Sequence, residues 1–85
     1  MNVTVDCSSI KTREDLHRIF STALSFPDWY GNNLDALHDQ LTSLTGTIRL
    51  EAWEEAEAAL GKYGTAAKKA IAAAGFENSK LDIVF

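Results

Sequence analysis

The chain has 85 residues, 46% of them apolar and 24% charged, with a formal net charge of −4. This is the size of one domain, too apolar for disorder and too small for a large core. The charge argues against direct binding of nucleic acid, which needs a basic footprint, and suits a basic protein partner or, more plainly, solubility.

Cys7 is the one cysteine, so no intrachain disulfide forms; a small buried hydrophobe is its expected role. The first residues carry neither a basic n-region nor a long apolar run, and a reduced, cytoplasmic setting is the expectation.

Residues 2–7 alternate, with Val3, Val5 and Cys7 on one side, and predict a strand. Thr12 opens a helix, with Asp15 three residues on as a weaker capping-box partner. Leu16, Ile19, Phe20, Ala23 and Leu24 recur at helical spacing until Pro27 ends the pattern. Residues 25–32 form a loop in which Gly31 is the expected special-dihedral position. Asn32 or Asn33 caps the next helix.

Leu34, Leu37, Leu41 and Leu44 make the apolar stripe of that helix. At roughly 100° per residue they lie within about 80° of one another, and Asp35 and Asp39 lie about 100–140° from Leu34. Gly46 stops the helix. T-I-R-L-E is the second strand, with Ile48 and Leu50 facing one way. Residues 52–60 favour helix; Gly61 and Gly64 break it; residues 65–74 form another, closed by Gly75. Glu51, Glu54, Glu55 and Glu57 read as a solvated face. K-L-D-I-V-F is the last strand.

The order is β-α-α-β-α-α-β in a single domain spanning 1–85. Strands separated by helices predict an α/β fold with a three-stranded parallel sheet, the first strand in the middle, packed by three or four helices.

Asp35 and Asp39 stand one turn apart, where like charges repel by roughly 0.2–0.5 kcal/mol, and Asp is a poor residue for a helix interior. The helix dipole accounts for Asp35 in the first turn but less for Asp39. The run W-Y-G-N-N-L-D-A-L-H-D-Q-L-T, residues 29–42, resembles the Barstar family of ribonuclease inhibitors. The family's hallmark is an aromatic-Tyr-Gly-x-Asn-Leu-Asp-Ala-Leu-x-Asp run. Weaker similarity covers nearly the whole chain, including Asp15, Leu16 and His17 in the first helix.

The resemblance implies an inhibitor that plugs the active site of a basic extracellular ribonuclease with the second helix and the loop before it. Asp39 would occupy the phosphate position and dominate binding. Asp35 would contact the neighbouring base-recognition and catalytic region. Trp29 would fill an aromatic contact, Asn33 and Gly31 would shape the loop, and His38 and Thr42 complete the expected partner-binding set. Tyr30 reads as structural, Trp29 as exposed, and Leu34, Leu37 and Leu41 as core.

The sequence departs from the family in three places. His38 and Leu44 stand where barstar has Trp, and the acid of the last helix has no clear match, with Glu77 as a candidate. An immunity or antitoxin-type binder of a different basic toxin nuclease is the alternative. An enzyme or metal module is a third, but His17, His38 and Cys7 form no ligand motif, and neither metal nor cofactor is expected. A monomer forming a 1:1 complex is the expected state.

Overall fold

Alternation in all three strands leaves one sheet face polar. A computed structural model describes residues 1–85 as β1 (Asn2–Asp6), α1 (Arg13–Leu24), α2 (Leu34–Thr42), β2 (Gly46–Glu51), α3 (Trp53–Leu60), α4 (Lys62–Glu77) and β3 (Leu81–Val84). The α/β class and the element order are as expected. Both strand pairs are parallel, with Val3 beside Ile48 and Ile48 beside Ile83.

The expectation of a central first strand is wrong. The sheet order is β1-β2-β3, with β2 in the middle. The strand pattern explains why. Val5, Ile48, Leu50 and Leu81 are buried, whereas Thr4, Asp6, Arg49, Glu51 and Asp82 are exposed. A sheet with one wet face carries its helices on the other. Right-handed crossovers that all use one face step the strands in one direction, which gives sequential order.

Helix boundaries differ from expectation at the end of α2 and at both ends of α4. α2 ends at Thr42, and Gly46 is already the first residue of β2, so Leu44 packs from the connection rather than from the helix. Gly61, at φ 62°, is the one break between α3 and α4. Gly64 and Gly75 lie inside α4, which continues to Glu77. Gly64 serves a close approach: a Cβ there would fall 2.5 Å from the Glu57 carbonyl oxygen. Any larger residue would push α3 away from the start of α4.

The core is one cluster that includes Phe20, Leu37, Leu41, Ile48, Trp53 and Ile71. Cys7 is fully buried, and burial, with Asp6 beside it, pushes its thiol up to about 11. No helix is long and apolar enough to cross a membrane. Of the glutamates expected on a solvated face, Glu57 is half-buried and accepts a 3.0 Å bond from the Trp53 indole N–H; the other three are exposed.

α2 is held from both ends. Its Leu37 and Leu41 are buried, and its main helical neighbour is α4. The Asn78 side-chain amide, just past α4, donates to the carbonyls of Leu41 and Leu44 at 3.1 and 2.6 Å. Those carbonyls belong to the helix's last turn and its exit, where the regular helical pairing has run out; the Leu41 carbonyl also accepts from the Leu44 N–H at 3.2 Å. One side chain thus ties the end of α2 to the end of α4.

Candidate functional site: an acidic helix and its entry loop

α1 closes at Ser25, which adopts the left-handed conformation at φ 56°. The chain then turns, with the Tyr30 N–H donating to the Pro27 carbonyl at 3.0 Å. Phe26 and Tyr30 are buried, with ring centroids 4.7 Å apart. Trp29 between them is 78% exposed. The loop is therefore pinned by its flanking aromatics and presents the indole outward.

Asn33 caps α2: its side-chain oxygen accepts from the Ala36 N–H at 2.8 Å, and its amide donates to the Gly31 carbonyl at 3.2 Å. A cap of this kind stabilises a helix by about 0.5–2 kcal/mol. The left-handed residue of this loop is Asn32, at φ 53°, and not Gly31. Asn tolerates that region because its short polar side chain bonds locally. Gly31 answers a spatial need instead. A Cβ there would lie 3.1 Å from the Asn33 amide nitrogen, crowding the cap.

Beyond the cap, the helix divides as the leucine spacing predicts. Leu37 and Leu41 are buried and Leu34 is half-buried, while Asp35 and Asp39 are exposed. The Asp39 side chain keeps 82% of its surface. The two carboxylates lie on one side of the helix, roughly 5–6 Å apart at Cβ as i, i+4 neighbours are. Thr42 turns inward on its own helix, its hydroxyl donating to the Asp39 carbonyl at 2.8 Å. Neither acid is buried, and the charged group nearest the Asp39 carboxylate is the His38 ring.

His38 links this ridge to α4. Its Nε2 lies 2.7 Å from Glu77 Oε2, and its Nδ1 lies 3.7 Å from Asp39 Oδ1. The bond to Glu77, with a smaller contribution from Asp39, raises the imidazole above its ordinary pKa. The structure thus brings Asp39, His38 and Glu77 together, with Asp35 one turn earlier. Asn33 and Gly31 sit at the helix entrance.

The sequence profile described as "Barstar (barnase inhibitor)" matches residues 1–82. The chain belongs to the Barstar family. It is also similar to the putative ribonuclease inhibitor YrdF of Bacillus subtilis (strain 168), at 39% identity over 64 residues, which are 72% of this chain and 70% of that protein.

One feature of this Barstar-family domain was not anticipated from its sequence. His17, on the buried side of α1, is 3% exposed and bonds both tyrosines of the chain. Its Nδ1 is 2.7 Å from the Tyr30 hydroxyl and its Nε2 is 2.7 Å from the Tyr63 hydroxyl. A neutral imidazole suits this arrangement, since one nitrogen donates and the other accepts while each phenol can do either. Burial, followed by the Arg13 charge, lowers the His17 pKa, and burial pushes the Tyr30 phenol up. The bridge joins α1, the loop and α4. A signal was present: His17 is three residues before Phe20 and seven before Leu24, on the helix stripe that faces inward. A polar group there requires partners.

A surface groove of about 670 Å³ lies at the C-terminal ends of β2 and β3 beside Trp53, Lys68 and Phe85. It is remote in sequence from the acidic helix.

Proposed function

We propose that this protein inhibits a basic, secreted microbial ribonuclease by filling its active site with α2 and the loop before it. Membership in the Barstar family and the name of the Bacillus subtilis relative support the ribonuclease as target class. The observation that carries the mechanism is the Asp39 carboxylate, 82% exposed on a helix fixed at both ends. A cleft that binds RNA is lined with cationic donors for phosphate. A carboxylate presented on a rigid backbone makes charge-assisted hydrogen bonds to the same donors at little ordering cost.

In this reading Asp39 takes the phosphate position and Asp35 the adjoining cationic groups. The exposed indole of Trp29 supplies apolar contact at the rim. His38 and Thr42 border the ridge, while Asn33 and Gly31 hold the loop and cap in shape. The helix tolerates the repulsion between its two acids because both are neutralised in the complex. Association is 1:1 and electrostatically steered, reaching about 10⁸–10⁹ M⁻¹s⁻¹ at low salt and slowing as salt screens the charges.

Titration against a panel of basic microbial ribonucleases tests the proposal. Loss of ribonuclease activity at stoichiometric inhibitor, relieved in the Asp35→Ala/Asp39→Ala double variant, is the expected result. No inhibition of any member would overturn it.

A further inference from the structure

The His38 bridge adds a property that an acidic ridge alone lacks. His38 is faced by two charged groups, Asp39 from its own helix and Glu77 from α4, the helix packed against it. The same two carboxylates border the surface proposed for the cationic cleft. They cannot satisfy an imidazolium and a partner's guanidinium or ammonium groups equally well at once. We propose that His38 is a proton-linked latch on this face: protonated, it holds Glu77 and Asp39, and it releases its proton to solvent when a cationic partner engages them, so the partner binds more tightly as pH rises. This rests on the ribonuclease-binding reading of α2 given above.

The sign follows from charge alone. In the free protein the two carboxylates favour the imidazolium, in agreement with its raised pKa. In the complex the partner's cations draw on those carboxylates and bring positive charge near the ring, so the neutral imidazole is favoured. A group that binds its proton less well in the complex must shed it on binding, and by linkage protons oppose the complex. One proton sets the limit, so the dissociation constant weakens by at most about tenfold per pH unit. The geometry also gives Glu77 its place. While the latch is closed, Glu77 is held against α2; once His38 is neutral, its carboxylate is free to turn toward the partner.

Three measurements separate the possible outcomes. First, NMR titration of the free protein reads the imidazole directly: His38 titrates at higher pH in the wild type than in Glu77→Gln. Equal titration would overturn the latch with no partner involved. Second, affinity is measured from pH 8 to pH 6 for a basic ribonuclease that the wild type inhibits at pH 8. The wild type weakens more steeply than His38→Gln as pH falls; the slope is the readout, whatever the absolute affinity, and it subtracts the enzyme's own titrating groups. Third, calorimetry near pH 7 in two buffers of different ionisation heat counts protons, with a larger release expected for wild type than for His38→Gln. Complex formation with identical slopes and proton counts would overturn the latch and leave the proposed function standing. No binding to any ribonuclease at pH 8 would overturn both.

Discussion

The two histidines of this domain occupy opposite environments. His17 is buried between two neutral hydroxyls, and burial lowers its pKa. His38 lies on the rim of α2 between two carboxylates, and the Glu77 bond raises its pKa. The first joins the entry loop to α1 and α4. The second joins the exposed acid ridge to the end of α4. Anchoring and charge presentation are thus handled by separate groups on either side of the loop–helix unit. The ridge can hold mutually repelling acids because its backbone is secured elsewhere.

The sharpest division between the two regions concerns Asp39. Asp39→Ala is expected to weaken binding to the target ribonuclease by about 2–5 kcal/mol, the range for truncating one member of a buried interfacial charge pair, to which barstar complexes themselves contribute. The free protein's urea midpoint should stay unchanged or rise, since repulsion with Asp35 is relieved. A loss of more than about 1 kcal/mol in the free protein would make Asp39 structural and erase the distinction.

The opposite pattern is expected at the anchor. His17→Ala leaves the Tyr30 hydroxyl, and part-buried Tyr63 beside it, without a partner and opens a space in the core. Each stranded buried group costs about 1–3 kcal/mol, so a stability loss of about 2–4 kcal/mol is expected, measured by urea unfolding. Tyr63→Phe strands the buried Nε2 of His17 and should cost about 1–3 kcal/mol. Coincident midpoints for wild type and His17→Ala would show that the bridge holds nothing.

What could be read from sequence followed the same boundary. The helix stripe of Leu34, Leu37 and Leu41 and the outward acids are local periodicities, and they were legible; the cap was narrowed to Asn32 or Asn33, and the structure selects Asn33. The strand order was encoded too, in alternation on every strand, but extracting it required combining three distant segments with crossover handedness. Gly64 and Gly75 misled because a glycine within a helix looks like a breaker until the neighbouring element is known. Gly64 admits the Glu57 backbone, and Gly75 lies against Ile83. The His17 bridge spans residues 17, 30 and 63, and the His38 bridge spans 38 and 77. Pairings at such separations leave only half a trace, a polar residue on an apolar stripe or an unmatched acid.

The smallest expected effect tests the two histidines against each other through the pH dependence of stability. His17 binds its proton less well folded than unfolded. Its contribution is therefore complete above the unfolded value near 6.5 and shrinks as pH falls below it. His38 binds its proton better folded than unfolded. Its contribution is complete below about 6.5 and disappears as pH rises through its elevated folded value. The two windows meet near pH 6.5, so the joint contribution of the histidines should peak there, falling toward acid with His17 and toward alkali with His38. His38→Gln removes one of them, and its deficit relative to wild type should appear below about pH 6.5 and vanish at high pH. Because the pair is exposed and screened, that deficit is on the order of 0–1 kcal/mol, within reach of paired urea melts at pH 6 and pH 9. A deficit that grew with pH instead would mean that His38 stabilises the fold by packing rather than by charge.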